Sequence, residues 1–228
     1  MSYTEDLRAY CLQNQGLIFD ISKEYKEHFS FVPSHTYYKI LSRLEEEKLI
    51  NKISHGLYFI GNPDNLDEII RDYYIENEHG MVVGYALFNK MGITAYMDDH
   101  IDVYSNLVKN DQKIIGKYVL SQFNLVPFTM IHQMNVALLE MLEKQFTMKY
   151  IIRWKFDEVV AKFLTMYRDD CFEDIIKVHN YSYVAIATLD MLLQQANIKN
   201  NVLEIYKKHD PTYDAEKASK VKVILLNR

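Results

Sequence analysis

Apolar side chains recur at Tyr37, Ile40, Leu41 and Leu44, a spacing that builds one buried stripe along a helix. The opposite face carries His35, Thr36, Tyr38, Lys39, Ser42 and Arg43, all able to donate hydrogen bonds. Ser34, behind Pro33, stands where a capping residue is expected. After Lys48 the period changes. Ile50-Asn51-Lys52-Ile53 runs into Ser54-His55-Gly56, and Leu57-Tyr58-Phe59 leads back out, the pattern of a two-stranded hairpin whose glycine frees the turn. A polar-faced helix followed at once by a hairpin is the sequence form of a winged helix-turn-helix, and such a helix has the size of a DNA major groove.

Around this pair the pattern predicts a first helix over about Glu5 to Asn14, broken by Gly16. Leu17, Ile18 and Phe19 then lead into a short helix from Ile21 to Phe29, which packs behind the recognition helix. Gly61-Asn62-Pro63-Asp64-Asn65 is the densest turn signal and the expected domain boundary. The expectation is therefore two domains, a winged helix-turn-helix over 1–62 and an α+β domain over 63–228 with a helical C-terminal part.

In the second domain Leu66 to Tyr74 and Tyr85 to Met91 read as helices, the latter stopped by Gly92. Gly80 and Gly84 bracket a short apolar run. Ile101, Val103 and Tyr104 read as a strand, and Ile114 to Phe123, interrupted by Gly116, reads as a strand pair or one bent strand. Helical stripes follow at Ile131, Met134, Leu138, Met141 and Leu142, and at Phe156, Val159, Val160, Phe163, Leu164 and Tyr167. Tyr183 to Ala196 is apolar on more than one side and is expected to be the most buried helix. A last helix, Asp214 to Leu226, would carry Lys217, Lys220 and Lys222 outward.

A formal charge of −5 excludes a chain coated in basic surface, so any nucleic-acid footprint must be a local patch. Within the first sixty or so residues acids and bases nearly cancel. Cys11 and Cys171 have no partner at metal-ligand spacing and suit a reducing compartment. The Met-Ser-Tyr-Thr-Glu-Asp start lacks a basic, apolar leader, and no apolar run is long enough to span a bilayer, so a cytoplasmic protein is expected.

The chemistry points to DNA rather than catalysis. Lys39 and Arg43 lie one turn apart and can share a groove; Glu45, Glu46 and Glu47 follow and are expected to face away from a duplex. Lys52, Ser54 and His55 form the wing tip, able to lie along phosphates or a minor groove. Asp98-Asp99-His100 with Asp102 has the residue types of a metal site, but neighbours in a strand point to opposite faces, so a solvated turn is expected. Phosphate-cradling glycine loops, nucleophile elbows and His-Glu-x-x-His are absent. No metal, cofactor or enzymatic activity is expected.

The segment from Ile18 to Phe59 resembles the N-terminal domain of AbiEi-type antitoxins of bacterial abortive-infection and type IV toxin–antitoxin systems. The matching residues are Leu41, Leu44, Glu45, Leu49-Ile50-Asn51-Lys52-Ile53 and Gly56-Leu57-Tyr58. Gly84-Tyr85-Ala86-Leu87, Gly92-Ile93-Thr94 and Val103-Tyr104-Ser105-Asn106 are similar to the start of the family's C-terminal domain, and the likeness covers about residues 15 to 145. Where family wings carry arginine before the glycine, this chain has His55. The resemblance implies a repressor of its own operon that binds double-stranded operator DNA and neutralises a nucleotidyltransferase-like toxin without a stable complex. The DNA-binding residues expected are Ser34, His35, Thr36, Tyr38, Lys39, Ser42, Arg43, Lys52, Ser54 and His55. The competing expectation is a winged-helix regulator or protein-interaction module unrelated to a toxin.

Overall fold

A computed structural model describes residues 2–210. The last helix expected, Asp214 to Leu226, lies outside the described residues. The chain divides between Tyr73 and Tyr74 into two compact units, later than the turn at Gly61–Asn65.

The first unit begins with α1 (Tyr3–Gln13), closed by a reciprocal capping box in which Ser2 and Glu5 satisfy each other's backbone N–H groups. Leu7 and Cys11 are its buried residues. Gly16 takes a φ of +85°, which turns the chain. The next segment is not the simple lead-in to a helix that its sequence predicts. Ile18–Asp20 forms a strand, β1, antiparallel to the returning strand of the hairpin with Phe19 opposite Tyr58. Three residues are too few to show a period, and only the partner strand reveals them. Asp20 then caps α2 (Ile21–His28), accepting hydrogen bonds from Ser22 N and Lys23 N.

Helix α3 spans Ser34–Glu46. Its N-cap is Pro33, whose carbonyl accepts from Thr36 N at 2.8 Å and Tyr37 N at 2.9 Å. Ser34 is thus the first helical residue and not the cap, and no side chain caps this end. The hairpin consists of β2 (Ile50–Ser54) and β3 (Leu57–Ile60), turning at His55-Gly56 with Gly56 at φ +75°. The register shifts between Lys52 and Ser54. Sheet order β1-β3-β2 with α1, α2 and α3 gives the topology of a winged helix-turn-helix. Its core gathers Leu7, Cys11, Phe19, Ile21, Phe29, Val32, Tyr37, Ile40, Leu41, Leu44, Ile50, Tyr58 and Ile60. Helix α4 (Leu66–Tyr74) closes the unit, and Tyr73 donates its hydroxyl to Asp20 at 3.3 Å.

The second unit is a four-stranded sheet with helices. Strands β4 (Gly80–Val83), β5 (Ile101–Ser105), β6 (Gln112–Ile115) and β7 (Tyr118–Gln122) stand in the order β4-β5-β7-β6. The β5–β7 pair is parallel and the others antiparallel. The Gly80–Gly84 apolar run is therefore an edge strand, and the stretch broken by Gly116 is a hairpin. Helices α5 (Gly84–Lys90), α6 (Met130–Lys144), α7 (Arg153–Leu164), α8 (Asp169–Val178), α9 (Tyr183–Gln195) and α10 (Val202–His209) complete it. Periodicity does not single out the residues of α8 and α10, although Phe172 and Ile175 are fully buried. Helix α9 is heavily buried as expected, but α6 matches it, with Asn135 to Leu142 buried without interruption. The whole is an α+β chain with a helical C-terminal part.

Leu44 is wholly enclosed in the first core. Leu44→Ala should therefore destabilise this unit by about 2–5 kcal/mol, the usual cost of a cavity at such a site. Urea unfolding followed by circular dichroism checks this, and a loss below about 1 kcal/mol would contradict the packing described.

Candidate nucleic-acid interface

Tyr37, Ile40, Leu41 and Leu44 are all buried, which fixes the rotation of α3 about its axis. Two hydroxyl groups lock the helix further. Tyr37 donates to Ile21 O at 3.3 Å, and Tyr25 donates to Val32 O at 2.9 Å just before α3 begins. With that face turned inward, Ser34, His35, Tyr38, Lys39, Ser42 and Arg43 are exposed and Thr36 is half-buried. Lys52 and His55 are exposed on the hairpin. Lys39, Arg43 and Lys52 make no ion pair among the described residues, so their charges are available to an incoming anion.

Polar atoms on this face are only partly committed. Thr36 Oγ1 and His35 Nε2 are 3.2 Å apart, and Ser42 donates its hydroxyl back to Tyr38 O at 3.2 Å. Ser42 thus keeps acceptor capacity but has spent its proton within the helix. Ser54 departs from expectation. Its hydroxyl is buried and has no hydrogen-bond partner, so it faces inward and is not part of the wing tip. The register shift between Lys52 and Ser54 accounts for this, because a displaced residue changes which side of the ribbon it faces.

Most acids of the first unit are engaged elsewhere. Glu5 holds Ser2 N, Asp20 caps α2, and Glu24 accepts from Tyr10 Oη at 2.5 Å. Burial and the Glu24 carboxylate push the Tyr10 hydroxyl well above its ordinary value, so it remains a donor. Glu45 accepts from Tyr58 Oη at 3.2 Å, and Glu47 pairs with Arg8 at 2.5 Å. Of the three consecutive glutamates, Glu45 and Glu47 therefore have partners within this unit, Glu47 while staying exposed. Glu46 has none among the described residues. It is exposed, and the helical period sets it in line with His35, Lys39 and Ser42. A duplex meeting this face would accordingly engage α3 as far as Arg43 and stop short of Glu46.

No protein-family model matches this chain, and no curated protein matches it either. Among solved structures it is similar to the RV2827C protein from Mycobacterium tuberculosis, with 8% identity over 91% of this chain and 81% of that one, at a TM-score of 0.39. Among the described residues no helix is long and apolar enough to cross a membrane. No group of three or more His, Cys, Asp and Glu able to hold a metal ion occurs there either.

One polar cluster in the second unit is not legible in the sequence, since its members come from three separate segments. Glu140 on α6 is almost wholly buried and accepts from Tyr104 Oη of β5 at 3.0 Å. His179, at the end of α8, lies 3.5 Å from the same hydroxyl, and its ring meets Tyr181 edge-on at 4.7 Å. The Tyr181 hydroxyl is buried without a hydrogen bond of acceptable geometry. Burial raises the Glu140 carboxyl above its ordinary 4.5 despite the Tyr104 donor, and burial lowers His179. A carboxyl raised on folding binds its proton more tightly in the native state, so its contribution falls as pH rises above 4.5. Glu140→Gln should remove that fall, making the variant gain stability relative to the parent between acidic and neutral pH. Parallel thermal melts across that range check it; a constant difference between the two proteins would refute it.

Proposed function

We propose that this chain is a DNA-binding antitoxin and autorepressor of a type IV toxin–antitoxin, abortive-infection operon. The observation that carries DNA binding is the exposed, unpaired triad of Lys39, Arg43 and Lys52 on a helix and hairpin arranged as a reading head. In this reading α3 from Ser34 to Arg43 enters the major groove, with Arg43 and Lys39 toward base edges or phosphates and Ser34, His35, Thr36, Tyr38 and Ser42 beside them. Lys52 and His55 follow the backbone from the wing; Ser54 is withdrawn from the contact set. The antitoxin assignment rests on the ordered resemblance of residues 15 to 145 to the AbiEi family, including Gly56-Leu57-Tyr58 and Val103-Tyr104-Ser105-Asn106. Two buried, unpaired cysteines support a reducing, cytoplasmic setting.

A second reading makes the winged helix a docking module for a protein. Glu46 on the outward line of α3, and the exposed rings of Phe31 and Tyr38 at 60% and 55%, favour it. Ionic strength separates the two, because displacing counterions from a duplex makes binding fall steeply with salt.

Arg43→Ala should weaken binding to a duplex taken from upstream of the chain's own gene by about 1–3 kcal/mol, concentrated at a few base positions. A mobility-shift titration at low salt measures it, and unchanged affinity would remove Arg43 from the interface. The reading requires a nucleotidyltransferase-like toxin encoded beside this chain, and co-expression should relieve the growth arrest which that toxin causes; lack of such a neighbour, or continued arrest, would remove the antitoxin assignment and leave the DNA contact standing.

A further inference from the structure

Aromatic rings and cations alternate on the connection from α6 into α7. Lys149, Tyr150, Arg153 and Trp154 are all exposed, with Tyr150 at 75% and Trp154 at 70% of their free surface. Rings of this size normally seek cover. Here the backbone holds one of them out. Thr94 bridges to Ile151, Ile152 N donates to Ile93 O at 2.7 Å, and Thr94 Oγ1 donates to Lys149 O at 2.7 Å. Between those anchors Tyr150 takes a φ of +50°, a conformation that bulky L-residues avoid.

The ring so presented is one end of a row. Tyr150 stacks on Tyr96 with centroids 6.3 Å apart and planes 27° from parallel, and Tyr96 meets Tyr85 edge-on at 4.6 Å. The Lys149 ammonium lies 4.5 Å from the Tyr96 ring centre, and Lys155 lies 5.7 Å from that of Trp154. Lys155 is paired with Glu158, whereas Lys149 and Arg153 make no ion pair among the described residues. Asp98 and Asp99 follow Tyr96 in its loop, and Asp98 is close enough to act on the Lys149 charge.

We propose that this surface binds single-stranded nucleic acid, with unpaired bases stacking on Tyr150 and Trp154 and phosphates facing Lys149 and Arg153. The chemistry selects this partner. A base offers a flat face to a ring held clear of the protein, and a charge at each backbone unit answers the interleaved cations. A duplex hides its base faces and leaves such rings without a role. None of the residues involved belongs to the α3 surface.

Trp154 is the single tryptophan of the chain, so intrinsic fluorescence reports directly on it. Titrating the full chain with an oligothymidylate of about 16 nucleotides should give saturable quenching that weakens as salt rises. Tyr150→Asn, which keeps a residue tolerant of the left-handed backbone, should weaken binding about tenfold, and Lys149→Ala should reduce the salt dependence. Arg43→Ala should leave the quenching curve where it was. Absence of quenching at low salt would overturn the proposal, as would a curve insensitive to Tyr150→Asn. Equal quenching by polyglutamate, or binding that prefers duplex and is lost with Arg43→Ala, would also overturn it.

Discussion

The rotational setting of α3 governs the first unit. Four side chains (Tyr37, Ile40, Leu41 and Leu44) are each at most 2% exposed, and together they leave the helix one way to sit. Burying side chains of this kind contributes about 1.5–3 kcal/mol apiece. Turning α3 by even one residue position would expose part of that stripe and draw Lys39 or Arg43 toward the core, which an unpaired charge strongly resists. Apolar packing thus decides where the cations point, and the exposed face of α3 inherits its geometry from the core beneath it.

Electrostatics complete what packing begins. An acidic chain can present a positive face where the carboxylates nearest it are held in other contacts, and several here are. Glu24 is held by Tyr10, Glu45 by Tyr58 and Glu47 by Arg8. Asp20 serves the start of α2. The net charge therefore says little about the local field over α3 and the hairpin: Arg8 neutralises Glu47, and the hydrogen bonds fix where the Asp20, Glu24 and Glu45 carboxylates sit without removing their charge. On α3 itself Glu46 has no such partner among the described residues and is exposed, and it divides the helix into a cationic front and an acidic rear.

The legible parts of the chain are those with enough residues to show a period. The α3 stripe, the Gly56 hairpin, the Leu66–Tyr74 helix and the α+β layout can be read directly, because 3.6- and 2-residue repeats are local properties. Strand β1 escapes such a reading because three residues carry no repeat, and its identity comes from pairing with β3. Ser34 has the chemistry of a cap but not the position, because Pro33 occupies that place. Ser54 sits at the wing in sequence yet leaves it in space, because a register shift cannot be seen in composition. The Glu140–Tyr104–His179 cluster and the Tyr85–Tyr96–Tyr150 row join residues far apart in sequence, so only the folded chain assembles them.

Amide chemical-shift mapping of the full chain against a mixed-sequence duplex of about two helical turns is the decisive test of α3 and the hairpin as a nucleic-acid interface. The largest shifts are expected over residues 34–43 and around Lys52 to Gly56, with the Glu46 amide and the α1 helix little moved. Shifts confined to other surfaces, or none at low salt, would contradict that assignment.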